Sequence, residues 1–158
     1  MNHFTPLKRI LVNQVKFIKN GALFLVLFPS FVFANHTDKV SPKINLQSPD
    51  THFEVMRGEN IHVNAQLQDN QELDSYRLII TKGGITTDKY ADSFSSYFKL
   101  DAEGNAFPSI SGSKTFELNL DVKVDENAIV GDYIFKFFLK DKAGNELMIE
   151  HFFNVCSH

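Results

Sequence analysis

Residues 131–155 read GDYIFKFFLKDKAGNELMIEHFFNV, which has the pattern of two strands joined by a tight turn. Large apolar side chains occupy every second position of the first strand: Tyr133, Phe135, Phe137 and Leu139. Because alternate residues of a strand point to the same face, these side chains are expected to face a core. Asp141 suits an Asx turn, and Gly144 and Asn145 tolerate the positive φ that such a turn requires. The stretch therefore predicts an antiparallel hairpin that closes the domain.

Alternating apolar residues recur in further stretches of the chain, at residues 42–49, 61–67, 76–80 and 115–124. Turn-forming residues separate these stretches, and Phe53 and Val55 are expected to continue the first strand after a kink. This pattern predicts an all-β fold, an immunoglobulin-like antiparallel β-sandwich of about seven strands. Tyr133 begins a strand after a crossover, so its hydroxyl is expected to form a tyrosine corner.

Residues 1–34 have the pattern of an export signal, in which a basic stretch precedes an apolar run. The run covers residues 21–34, and these 14 residues are fewer than the roughly 20 of a membrane-spanning helix. Val32 and Ala34 occupy the −3 and −1 positions of a cleavage site before Asn35. The sequence predicts a signal peptide and a periplasmic or extracellular location. An uncleaved membrane anchor is the alternative.

The rest of the chain is expected to form one domain. Residues 35–41 form a polar leader, and residues 42–156 form the sandwich, with an irregular insertion at residues 82–113. One strand is expected within this insertion, from Ser96 to Leu100. Cys156 is the single cysteine, which excludes an intrachain disulfide and a zinc site built on thiolates. An oxidising compartment would allow Cys156 to form an intermolecular disulfide.

Charge is distributed unevenly along the chain. Residues 1–34 contain four basic residues and no acid, so residues 35–158 hold 12 basic against 19 acidic side chains, or about −7. Nucleic-acid binding requires a basic face, so this balance argues against that class of function. It is compatible with cation binding, and also with a solvated acidic surface.

Acidic and amide side chains in two turns are the candidate metal ligands. Asp69, Asn70 and Asp74 lie in the turn before the third strand, and Asp141 and Asn145 lie in the closing hairpin turn. If the two turns meet at one pole of the sandwich, their oxygens provide the hard ligands that calcium prefers. Tight turns favour the same residue types, which is the alternative explanation for both clusters.

Aromatic side chains in the insertion are the candidate partner-binding residues: Tyr90, Phe94, Tyr97 and Phe98. Exposed aromatic side chains anchor many interfaces, so these residues are expected to line a surface groove for a protein or glycan partner in the cell envelope. The alternative is that they cap one end of the core.

No catalytic constellation stands out in the sequence. There is no Gly-x-Ser-x-Gly elbow, and no two histidines have the spacing of a metal chelate on a helix or strand. We therefore expect a non-catalytic binding or interaction module, with calcium binding as the alternative function and enzymatic activity as the least favoured class.

Several motifs occur in an order that resembles a bacterial family of small exported immunoglobulin-like domains of unknown function, many of them lipoproteins. The motifs are Ser48-Pro49, residues 57–63 (RGENIHV), residues 69–76 (DNQELDSY), residues 131–133 (GDY) and residues 141–145 (DKAGN). The resemblance implies an immunoglobulin-like fold. This chain lacks the histidine-rich segment that follows the third strand in that family, and it lacks the lipid-anchor cysteine. A metal role for those histidines is therefore not expected here.

Overall fold

The computed structural model describes residues 38–83 and 88–157. The expected signal peptide (1–34) and the first leader residues (35–37) lie outside the described residues. The strands are β1 (Lys43–Ser48), β2 (Phe53–Met56), β3 (Asn60–Gln68), β4 (Leu73–Lys82), β5 (Thr115–Lys123), β6 (Gly131–Asp141) and β7 (Glu146–Cys156). Two 3-10 helices, Asp88–Ser93 and Ser95–Phe98, lie between β4 and β5. In the part of the chain that the structure describes, no helix has the length and apolar character needed to span a membrane.

The strands form two sheets, one with the order β1-β3-β5 and one with the order β2-β7-β6-β4. Neighbouring strands are antiparallel except β2 and β7, which are parallel. The closing hairpin of β6 and β7 lies at the centre of the four-stranded sheet, as its two apolar strands require. The prediction of an all-β, immunoglobulin-like sandwich with seven strands is confirmed.

The chain changes sheets between β1 and β2, which the sequence pattern does not predict. Phe53 and Val55 belong to β2 and pair with β7, whereas β1 pairs with β3. The expectation that they continue the first strand is therefore wrong. Pro49 follows β1 and has no N–H with which to continue the ladder. The Phe53 ring instead stacks on Phe153, with centroids 4.6 Å apart.

The core lies between the inner faces of the two sheets. Alternate residues of β3 and β6 are buried, in the period-two pattern that the sequence predicts. The buried side chains of these two strands are Ile61, Val63, Ala65, Leu67, Tyr133, Phe135, Phe137 and Leu139. Full burial of each large apolar side chain stabilises the fold by about 1.5–3 kcal/mol.

Tyr133 forms the tyrosine corner that the sequence predicts. Its hydroxyl donates a 2.7 Å hydrogen bond to the carbonyl oxygen of Ile129. The ring is buried, and the Phe94 ring packs against it edge-on at 5.2 Å. Burial raises the pKa of the Tyr133 hydroxyl, and Tyr90 raises it further, so the group loses its proton only at a pH above the ordinary tyrosine range.

The insertion contains local turns rather than a strand. Ser95–Phe98 is a 3-10 helix, and Lys99 follows it with a left-handed φ of 59°. The expectation of a strand from Ser96 to Leu100 is therefore wrong. The amides of Tyr97 and Lys99 bond to carbonyls three residues earlier. Hydrogen bonds of this local kind satisfy the backbone without a neighbouring strand.

Candidate metal centre

Three aspartates from separate segments meet at one pole of the sandwich. Asp38 precedes β1, Asp69 follows β3 directly, and Asp141 is the last residue of β6. One carboxylate oxygen from each lies within 4.8 Å of the others. The backbone amide of Lys142 donates to the carbonyl of Glu72 at 2.9 Å, which ties the closing turn to the turn after β3. We call Asp38, Asp69 and Asp141 the aspartate cluster.

The cluster is buried. The exposed fraction is 9% for Asp38, 6% for Asp69 and 1% for Asp141. Moving a carboxylate out of water is costly unless hydrogen bonds or an opposite charge compensate the loss of hydration. The partners of each carboxylate oxygen therefore decide what this site can do.

Asp141 has donors on both oxygens. Its Oδ1 accepts from the Asn145 backbone amide at 2.7 Å, and its Oδ2 accepts from Asn145 Nδ2 at 2.7 Å. Asn145 Nδ2 also approaches the carbonyl oxygens of Asp38 at 3.2 Å and Val40 at 3.3 Å. Asn145 therefore positions both the hairpin turn and the segment before β1.

Asp38 and Asp69 each have one oxygen without a donor. Asp38 Oδ1 accepts from the Val40 amide at 3.0 Å, and Asp69 Oδ2 accepts from the Gln71 amide at 2.7 Å. Asp38 Oδ2 and Asp69 Oδ1 are buried and have no hydrogen-bond partner among the described residues. Within that same part of the chain, no ion pair reaches any of the three aspartates. Buried polar atoms are nearly always paired, so these two oxygens require an explanation.

A small cavity of about 370 Å³ adjoins the cluster. Its lining residues are Asp38, Asp69, Gln71, Glu72, Lys114, Lys142 and Ala143. The two lysine side chains have partners elsewhere. Lys142 Nζ lies 3.5 Å from Asp74 Oδ1, and Lys114 Nζ donates to the Asn70 carbonyl at 3.4 Å. The cavity therefore brings acidic oxygens together beside cations that already have other contacts.

Three of the five candidate metal ligands, Asp69, Asp141 and Asn145, lie at the cluster. The other two do not belong to the cluster: Asp74 pairs with Lys142, and Asn70 is exposed. Asp38 was not predicted as a ligand, since it lies in the expected polar leader. Asp38 and Asn145 are 107 positions apart in the sequence, so no local sequence pattern indicates that they are in contact.

The candidate partner-binding aromatics fall into two groups. Tyr97 and Phe98 are 51% and 58% exposed. Tyr90 is half-buried. Phe94 is 1% exposed and packs edge-on against Tyr133 and Phe153. The prediction that Phe94 lines a surface groove is therefore wrong, because its ring fills the core.

Comparison with solved structures gives several distant matches. The GspB Siglec domain matches with a TM-score of 0.51 and 14% identity, over 77% of this chain and 60% of that one. A family 123 glycoside hydrolase from Clostridium perfringens matches with a TM-score of 0.42 and 10% identity, over 75% and 28%. Murine CRIg matches with a TM-score of 0.37 and 6% identity, over 75% and 99%. At these identities the likeness concerns the fold alone.

The sequence was compared with curated proteins and with family profiles. A search among curated proteins gives no match. One family profile, described as Domain of unknown function (DUF4625), matches residues 32–155 and so covers the sandwich up to, but not including, the last residue of β7. This match confirms the predicted resemblance to a family of immunoglobulin-like domains of unknown function, and the chain belongs to the DUF4625 family.

Proposed function

We propose that this domain is a non-catalytic, calcium-binding immunoglobulin-like module of the cell envelope, with the aspartate cluster as its cation site. One observation carries the proposal. Two carboxylate oxygens, Asp38 Oδ2 and Asp69 Oδ1, are buried without a hydrogen-bond donor among the described residues, and a third carboxylate lies beside them. A bound divalent cation would compensate both the missing donors and the mutual repulsion of the acids.

The chemistry of the donors favours calcium. The cluster offers carboxylate oxygens, and its cavity lining contains no histidine or cysteine, which zinc and copper prefer. Calcium binds oxygens at about 2.4 Å, so two ligands on opposite sides of one ion lie about 4.8 Å apart. The cluster oxygens fall within that distance. Magnesium requires shorter and more regular contacts, so it is expected to bind more weakly.

A cation here would join three segments that the polypeptide connects only over long distances. Asp38 belongs to the segment before β1, Asp69 to the turn after β3, and Asp141 to the closing hairpin. Binding to the folded form alone stabilises it by about 2.7 kcal/mol when the ion is present at 100 times its Kd. For a domain of this size, that corresponds to a rise in Tm of about 10 °C.

Thermal unfolding with and without the ion tests the proposal. We expect calcium to raise the Tm relative to EDTA, and magnesium and zinc to raise it less. Asp69→Asn should abolish the calcium response without lowering the Tm in EDTA, because it removes a buried charge but keeps an acceptor for the Gln71 amide. Asp50→Asn is the control, since Asp50 is exposed, follows β1 and lies outside the cluster. An equal Tm in EDTA and in 5–10 mM calcium (roughly tenfold above a weak extracellular site) would overturn the proposal.

The proposed location follows from the same chemistry. Extracellular calcium modules work with Kd values of roughly 10⁻⁴–10⁻³ M, and the pattern of residues 1–34 predicts export. We therefore place the module in the periplasm or outside the cell. Absence of catalytic activity is part of the proposal and stays a prediction.

A further inference from the structure

The outer edge of β4 has free backbone groups. β4 is the last strand of the four-stranded sheet and, among the strands that the structure describes, pairs only with β6. Leu73, its first residue, bonds to Gly112 and Ser113 of the insertion. From Asp74 to Lys82, the outer edge makes no backbone hydrogen bond to any residue that the structure describes. An edge of this kind is a template for another strand.

An apolar groove of about 490 Å³ follows this edge. Tyr76, Leu78 and Ile80 of β4 form one side of it, and Tyr97 and Phe107 of the insertion belong to the other. Most of the remaining lining is small or apolar and includes Ala91, Ala106, Pro108 and Ile110. A groove of this volume lies in the range of known ligand sites, about 300–1,000 Å³.

The hydroxyl of Tyr76 lies at the groove and has no partner. It is buried, and no described residue accepts its hydrogen bond. The Tyr76 ring stacks on Phe107 with centroids 5.9 Å apart, and it packs against Phe137 at the same distance. A buried hydroxyl without an acceptor is unfavourable in the free protein.

The uncompensated charge at the groove is positive. Lys99 lines the groove and forms no ion pair within residues 38–83 and 88–157. The other charged lining residues have partners, because Arg77 pairs with Glu146 at 3.0 Å and Asp74 with Lys142 at 3.5 Å. The electrostatics therefore favour an acidic group on whatever binds here.

We propose that the outer edge of β4 binds an extended peptide, which adds a fifth strand to the four-stranded sheet. The peptide backbone pairs with β4, alternate apolar side chains enter the groove beside Tyr97 and Phe107, and an acidic side chain lies near Lys99. Strand addition of this kind uses the backbone for affinity and the groove for specificity. A glycan fits less well, because it would leave the row of backbone groups without regular partners.

A display library of random octapeptides, selected on the purified protein, tests the proposal. We expect enriched sequences that alternate apolar residues and contain Asp or Glu. In a synthetic copy of an enriched peptide, N-methylation at every second amide should weaken binding at least tenfold. Methylation of the intervening amides should have a smaller effect, because only alternate amides of a strand point toward its neighbour.

Substitutions in the protein locate the site. Tyr97→Ala and the groove-filling Ala106→Trp should each weaken peptide binding about tenfold. Phe152→Ala is the control, because Phe152 is an exposed aromatic side chain on β7 that does not line the groove. An unchanged Tm in each variant would show that folding is intact. The proposal is overturned if no peptide is enriched, if N-methylation has no positional effect, or if a glycan array shows binding that depends on Tyr97 instead.

Discussion

The side-chain amide of Asn145 donates to Asp141 Oδ2 at 2.7 Å and to the backbone carbonyl of Asp38 at 3.2 Å. One side chain thus connects the closing hairpin to the segment before β1 and aligns two members of the aspartate cluster. The carbonyl of Val40 lies 3.3 Å from the same nitrogen. Asn145 is therefore a positioning residue for the proposed cation site.

Replacing Asn145 with alanine should destabilise the fold. Asn145→Ala removes the donor to Asp141 Oδ2 and leaves buried acceptors without partners, which typically costs about 1–3 kcal/mol. Urea denaturation measures this loss. Asn119→Ala is the control, because Asn119 is exposed on β5 and its loss should cost no more than about 0.5 kcal/mol. Equal effects from the two substitutions would contradict the positioning role.

Alanine substitutions at Phe94 and Phe98 should differ sharply in their effect on stability, although the two residues are close in sequence. Phe94 is 1% exposed and Phe98 is 58% exposed. Phe94→Ala creates a cavity beside Tyr133 and should cost about 3–5 kcal/mol. Phe98→Ala should change the free energy of unfolding by no more than about 0.5 kcal/mol. Chemical denaturation of both variants is the measurement, and similar losses would mean that Phe94 is not a core residue.

The features that could be predicted from the sequence are those that local periodicity determines. The alternation in β3 and β6 gives the buried faces directly, and the position of Tyr133 after a crossover gives the tyrosine corner. Phe94 was misassigned because the insertion has no period that separates inward from outward side chains.

The candidate site could be predicted only in part, for a related reason. Asp69 follows β3 and Asp141 ends β6, so both lie at recognisable turns. Asp38 joins them only because β1 begins at the same pole, and that relationship depends on how the two sheets pack. The burial of the acids is also a tertiary property, so the unpartnered oxygens have no signature in the sequence.

Removing the Tyr133 hydroxyl and removing the Tyr76 hydroxyl should change the stability of the protein in opposite directions. The Tyr133 hydroxyl bonds to the Ile129 carbonyl, so Tyr133→Phe should destabilise the protein by about 1 kcal/mol. The Tyr76 hydroxyl has no partner, so Tyr76→Phe should leave the free protein as stable as before or more stable, by up to about 1–2 kcal/mol. Denaturation curves of both variants test this, and a larger loss for Tyr76→Phe would show that its hydroxyl has a partner in solution.

The raised pKa values of the same two hydroxyls should make the stability of the protein depend on pH in the alkaline range. Burial raises the pKa of Tyr76 and of Tyr133 above the ordinary value of 10.0. Above about pH 10 the unfolded chain loses these protons before the folded protein does, so the free energy of unfolding falls as the pH rises. The stabilisation is complete below pH 10 and is lost as the pH passes through the folded-state pKa values. Tyr76→Phe should make this decline shallower in denaturation measured from about pH 9 to 11, and an unchanged slope would contradict the prediction.

A calcium titration followed by ¹H–¹⁵N NMR is the most direct test of the proposed cation site. The amides of Val40, Gln71 and Asn145 each donate to a carboxylate of the aspartate cluster, so they report on the site itself. The predicted result is a saturable shift of these three amides, which is lost in Asp69→Asn and kept in Asp50→Asn. Unchanged positions of all three amides up to about 10 mM calcium, well above the Kd range of extracellular modules, would contradict calcium binding at this pole.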